Sequence, residues 1–144
     1  MDPSFFVFVQ KSPFHMMLLG AAVVTGGMLL WPLFGRVFSG DVALVSAFDA
    51  VQLINRRDAA VLDIRDKADY AAGHIPNARN IPLAELAGRA HELEKIKSRP
   101  IVVHCQTGTR VATACNLLKK NGFEASGLRG GINAWLQAGM PVVK

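Results

Sequence analysis

The stretch "PIVVHCQTGTRVATACNLLKK", residues 100–120, passes from an apolar run through a short polar loop into an amphipathic segment. "PIVVHC" is the most strand-like run in the chain, rich in β-branched residues. "RVATACNLLKK" sets Val111, Ala114, Cys115 and Leu118 on one face at helical spacing. Lysines fill its last turn and Gly122 follows as a stop. Outward from this strand–loop–helix unit, the same alternation recurs. "VALVS" is a strand, and Ser46 then caps a helix through Asn55, with Asp49 completing a weak capping box. "AAVLDI" is a short buried strand, and "DKADYAAG" is one to two helical turns closed by Gly73. "ARNIP" is another strand, and "LAELAGRAHELEKIK" is a helix interrupted at Gly88. "EASGL" and "GINAWLQAG" supply the last strand and helix. Strands alternating with helices predict an α/β sandwich around a mostly parallel sheet. Ligands bind such sheets at the carboxyl ends of strands, and the loop from Cys105 to Arg110 sits at one.

A chain of 144 residues, 51% of them apolar, supports one compact domain and a short additional piece. From Ser12 to Gly35 there is no Asp, Glu, Lys or Arg, and as a helix Phe14 to Phe34 would span about 30 Å, one hydrocarbon thickness. The reading is a tail at 1–13, a transmembrane helix at 14–34, a linker at 35–41 and a domain at 42–144. Trp31 suits an interfacial ring, Pro13 a first turn and Pro32 an exit. A cleavable signal peptide is the competing reading. Against it, the segment before the apolar run carries a single lysine and an aspartate, and the small-x-small site Val45–Ala47 lies far beyond that run. Arg36, Arg56 and Arg57 follow the span and a lone Lys11 precedes it, so the positive-inside rule points to a single-pass plasma-membrane protein with a cytoplasmic domain.

The net charge of +5 is dispersed, with pairs only at Arg56–Arg57 and Lys119–Lys120, which argues against a nucleic-acid-binding stripe. A Cys105 at a strand end and a Cys115 in the following helix lie too far apart for a disulfide, so both are expected to be reduced. The helix after the loop would present free N–H groups and a positive dipole end to Cys105, favouring the thiolate. Gly108 permits a turn in which successive amides face inward as an anion nest. Thr107 and Thr109 can add hydroxyl donors, and Arg110 a permanent cation. Cys115 reads as core. His104 reads as a general base or, with no carboxylate beside it in sequence, as a packed histidine.

"VLDIRDKADYAAGHIPNARNIP", "CQTGTR" and "LRGGINAWLQAGMPV" together resemble the rhodanese homology domain, in the right order over nearly all of the soluble part. One such domain behind a membrane helix is similar to small bacterial membrane-anchored members. The resemblance implies a rhodanese-like three-layer sandwich with a central, mostly parallel five-stranded sheet. It also implies sulfurtransferase activity, with sulfane sulfur carried as a persulfide on Cys105. The amides of Gln106, Thr107, Gly108, Thr109 and Arg110 would cradle that sulfur, and Arg110 would both tie the loop down and assist an anionic donor. Asp63, Arg65 and Asp69 match the family's polar positions after the second strand, as a salt-bridged lining that supports the loop. His74, Trp135, Gly130 and Gly131 read as structural. The implied substrates are a small sulfane-sulfur donor and a thiol or cyanide acceptor, with no metal or organic cofactor.

Two other functions compete. Cysteine phosphatases and arsenate reductases handle tetrahedral oxyanions in a related loop. Cysteine phosphatases resemble C-x5-R, however, whereas Cys105 to Arg110 is C-x4-R, a ring with room for a sulfur atom. A non-catalytic sulfur-carrier or protein-interaction module is the other alternative. The retained cysteine favours an enzyme. All four residues between Cys105 and Arg110 are neutral, which predicts modest efficiency with the thiosulfate dianion and better efficiency with a less charged persulfide.

Overall fold

The computed structural model describes residues 17, 20–28 and 41–144. It divides into two compact units, 1–40 and 41–144. In the first, Met17 and residues 20–28 are helical, and the Thr25 hydroxyl donates back to the Ala21 carbonyl at 2.7 Å. The remainder of the expected span 14–34, the tail 1–13 and residues 35–40 of the linker lie outside the described residues. Among the described residues no helix is long and apolar enough to cross a membrane.

The second unit alternates strand and helix throughout. β1 is Leu44–Val45, α1 Ala47–Arg57, β2 Ala60–Asp63, α2 Lys67–Ala72, β3 Arg79–Asn80 and α3 Leu83–Arg89. A 3-10 helix, Ala90–Ile96, leads to β4 Ile101–His104, α4 Val111–Lys120, β5 Ala125–Leu128 and α5 Gly131–Gln137. The five strands form one sheet in the order β1-β5-β4-β2-β3, with every neighbouring pair parallel. β2 and β4 are buried at every position, as strands covered on both faces must be.

Helices cover the two faces with separate cores. On one face Leu86, Leu93 and Ile96 meet Val111, Ala114, Cys115 and Leu118 of α4. On the other, Ala47 and Ala50 of α1 meet Ile75 and, from α5, Ile132 and Trp135. Sequence periodicity located each of these elements to within a few residues. α1 runs two residues past Asn55, and its capping box is present: the Ser46 hydroxyl accepts the Asp49 N–H at 3.1 Å while the Asp49 carboxylate accepts the Ser46 N–H. α4 ends in a Schellman motif at Gly122 (φ +84°), with Gly122 N–H bonded to Lys119 O and Phe123 N–H to Leu118 O.

The helix 83–97 departs from expectation, breaking at Ala90 rather than at Gly88. Ala90, Leu93 and Ile96 recur every third residue, and a 3-10 helix aligns such positions on one side. All three are buried in consequence. A regular α-helix would have turned part of that triplet away from the sheet.

The carboxyl ends of β2, β4 and β5 lie on one edge of the sheet. Register pairs Asp63 with His104, and the connections that leave this edge build the site.

Candidate functional site

Cys105 follows β4 directly and is 4% exposed. Its Sγ accepts the Gly108 N–H at 3.0 Å, so the loop folds a main-chain donor onto the sulfur. That turn requires Gly108 at φ +86°, and a Cβ there would meet the Gly130 nitrogen at 2.8 Å. The loop is held from behind by the first turn of α5. Ile132 N–H donates to Cys105 O at 2.9 Å and Asn133 N–H to Gln106 O at 3.3 Å. Gly131 (φ +61°) lies so close that a Cβ would run into the Cys105 carbonyl and the Gln106 main chain. Gly131 of "GGINAW" is structural for this reason, and Gly130 (φ +73°) for another, since a Cβ there would meet that of Ala134.

A pocket of about 210 Å³ opens between the loop and the β2–α2 connection. Of the residues singled out in the sequence, Cys105, Gln106, Thr107, Thr109, Arg110, Arg65 and Asp69 line it; Gly108 and Asp63 are not part of the lining. Arg110 is the N-cap of α4 rather than its first residue. Its side chain is exposed at the pocket and makes no hydrogen bond or ion pair among the described residues. Among the described residues, the hydrogen bonds that hold the loop come from α5 and from Gln106.

Gln106 belongs to a polar chain that crosses the base of the site. Asp63 is fully buried and receives Arg65 Nε at 3.0 Å and Nη2 at 2.7 Å, with Arg65 N–H at 2.9 Å. Arg65 also donates from Nη2 to Gly73 O at 2.8 Å and from Nη1 to Gln106 Oε1 at 3.3 Å. Gln106 Nε2 donates in turn to Asn133 Oδ1 at 2.7 Å. A salt-bridged support for the loop is therefore present in Asp63 and Arg65. Asp69 lines the pocket without joining that chain. Asp66 and Ile64 also line the pocket and Asn133 steadies the loop, three residues missed in the sequence. Asn133 lies 27 positions from Gln106, and no local pattern signals the contact.

His104 is fully buried. Parallel pairing of β2 with β4 supplies the carboxylate neighbour that its sequence surroundings lack: Nε2 lies 3.6 Å from Asp63 Oδ2 and has no hydrogen-bond partner. Nδ1 is 3.4 Å from Cys105 O. Burial pushes the imidazole pKa below its ordinary value, against the upward pull of Asp63. A neutral histidine beneath the loop follows, outside the pocket lining.

This sets a pH dependence of stability. Below about pH 6.5 the unfolded chain protonates this imidazole while the folded chain resists, so the unfolded state binds more protons. Stability should fall as the pH drops from about 6.5, by up to about 1.4 kcal/mol per pH unit from this group, levelling only below the folded-state pKa. Urea unfolding from pH 7.5 to 5 should show a shallower acid loss in His104→Gln than in wild type. Parallel slopes would show that His104 is not the group responsible.

Cys115 is fully buried on α4, and burial pushes its thiol up to about 11, so it stays protonated near neutrality. Both cysteines are free thiols. Among the described residues no cluster of His, Cys, Asp and Glu is placed to hold a metal ion.

Comparison with known proteins agrees with this architecture. Residues 46–138 match the family model described as "Rhodanese-like domain". The chain is 33% identical over 111 residues to "Uncharacterized protein YibN" of Escherichia coli (strain K12), covering 76% of this chain and 78% of that protein. It is 37% identical over 93 residues to a "Sulfurtransferase" of Allochromatium vinosum, covering 64% of this chain and 85% of that one. Among solved structures, a rhodanese-related protein from Thermoplasma volcanium superposes with a TM-score of 0.64 at 33% identity, over 70% of this chain and 97% of that one. With a family match spanning most of residues 41–144 and a parallel five-stranded sheet whose strand β4 leads directly into Cys105, the chain belongs to the rhodanese-like domain family.

Proposed function

We propose that the protein is a sulfurtransferase that carries sulfane sulfur as a persulfide on Cys105. The observation that carries this reading is the Gly108 amide donating to Sγ at the wall of a polar pocket whose exposed cation is Arg110. Cys105 thiolate attacks the outer sulfur of a donor. The Sγ–S bond forms, the donor's S–S bond breaks, and the reduced donor leaves with the electron pair. An acceptor thiolate or cyanide then attacks the outer sulfur, takes it, and returns Cys105 as thiolate. Electrons balance across the two displacements, and no external oxidant or reductant is needed. Arg110 and the loop amides offset negative charge on the donor and the departing group.

Gln106, Thr107 and Thr109 contribute no charge, so a persulfide such as glutathione persulfide, whose carboxylates lie away from the reacting sulfurs, suits the loop better than thiosulfate, whose two charges sit on the reacting group. Mass spectrometry should find Cys105 one sulfur atom heavier after exposure to either donor. Steady-state kcat/KM should be higher with glutathione persulfide, and Gln106→Arg should raise the thiosulfate value several-fold. A wild-type preference for thiosulfate, with no gain from the added arginine, would overturn the donor assignment. Absence of sulfur on Cys105 with both donors would overturn the function and favour a non-catalytic module.

We propose further that the apolar run at 14–34 anchors the chain in the plasma membrane with the domain in the cytoplasm. The uncharged sequence from Ser12 to Gly35 and the distribution of Lys11, Arg36, Arg56 and Arg57 support this. Release of the full chain by carbonate extraction would remove the anchor, and digestion of the domain by protease outside intact cells would reverse its side.

A further inference from the structure

A second cavity, of about 300 Å³, adjoins the cysteine pocket and shares Arg65, Asp69 and Gln106 with it. Its far side is apolar, built from Ile132 and Leu136 of α5 and from Val142 beyond that helix. Ile132 is buried, whereas Leu136 is 49% and Val142 39% exposed, so the cavity is a groove that opens to solvent. Thiosulfate and cyanide consist of a few heavy atoms, and the cysteine pocket alone suffices for them. An apolar annex continuous with that pocket answers to something larger, joined to the reacting sulfur.

Charge narrows the occupant. On the shared seam, the Arg65 guanidinium is committed to Asp63 and to the Gly73 carbonyl. Asp69 has no ion-pair or hydrogen-bond partner among the described residues, so an anionic body on the seam would meet an uncompensated carboxylate. We infer that the groove of Ile132, Leu136 and Val142 seats the aliphatic, non-anionic body of a low-molecular-weight thiol acceptor while its sulfur reaches the Cys105 persulfide. The inference rests on the sulfurtransferase reading and names the acceptor class for the same site. In the step it serves, the acceptor thiolate attacks the outer sulfur, the acceptor S–S bond forms, the Sγ–S bond breaks, and Cys105 leaves as thiolate.

The test uses the full-length protein loaded from thiosulfate, with mercaptoethanol, mercaptobutanol and mercaptohexanol as acceptors. Cyanide serves as the acceptor without a body. Burial of each added methylene should raise kcat/KM about two- to fourfold along the thiol series. Leu136→Asp should flatten that rise, and Val142→Asp, in the segment beyond α5, should do the same independently. Each thiol value is read as its ratio to cyanide turnover in the same preparation, so a general loss of folded protein cancels. A flat series in wild type, or the same rise in both variants, overturns the groove assignment while cyanide turnover leaves the sulfurtransferase reading standing. Absence of sulfur release to every acceptor overturns the function itself, and the acceptor class with it.

Discussion

Replacement of Cys105 by serine should reduce sulfur transfer to thiol or cyanide by at least about a thousandfold, because on the proposed mechanism it removes the group that forms the covalent intermediate. The serine hydroxyl is close in size to the thiol and still offers the Gly108 N–H an acceptor where Sγ stood at 3.0 Å. The fold should survive, and circular dichroism with a thermal melt would show the loss to be chemical. Cys115→Ser is the matched control. Its thiol is buried against the sheet and protonated near neutrality, so transfer should persist in whatever fraction stays folded. Transfer surviving Cys105→Ser, or vanishing in folded Cys115→Ser, would move the nucleophile elsewhere.

The second large effect is structural. Arg65→Leu would leave Asp63 fully buried with its main ionic partner gone, and isolating one member of a buried pair costs about 3–5 kcal/mol. For a domain of this size that corresponds to a fall in Tm of roughly 10–30 °C. The double variant Asp63→Leu with Arg65→Leu should be less damaged than the sum of the single changes, since it strands neither charge. Calorimetry of the three variants checks this, and strict additivity would mean that the pair contributes nothing as a pair. Arg65→Leu also withdraws a donor from Gln106 Oε1, so the folded fraction should show weakened turnover as the loop loses one support.

The parts of this molecule that were legible in its sequence are those decided by neighbours along the chain. Alternating strand and helix periods disclosed the sandwich, Ser46 with Asp49 disclosed the start of α1, and a cysteine between "PIVVH" and an amphipathic helix disclosed the loop. Contacts set by strand order were not legible. His104 carries no acidic neighbour in sequence, yet β2 lies beside β4 and brings Asp63 within 3.6 Å. Asn133 is one polar residue in an apolar helix until α5 docks and Gln106 meets it. The break at Ala90 rather than Gly88 has a related cause. Glycine's weak helix propensity points to Gly88, whereas the buried three-residue spacing of Ala90, Leu93 and Ile96 decides the backbone.

The hydrogen bonds from Ile132 and Asn133 to the carbonyls of Cys105 and Gln106 have a consequence for biosynthesis. A chain emerging from the ribosome presents its cysteine some 25 residues before the wall that shapes the loop exists. Until Gly130 and Gly131 are made and docked, the thiol has neither its fixed turn nor its bounded pocket, and it meets solution as an ordinary cysteine. α5 thus completes the loop after the fact, because a chain stopped short of it holds Cys105 without the main-chain bonds that fix the turn around the sulfur.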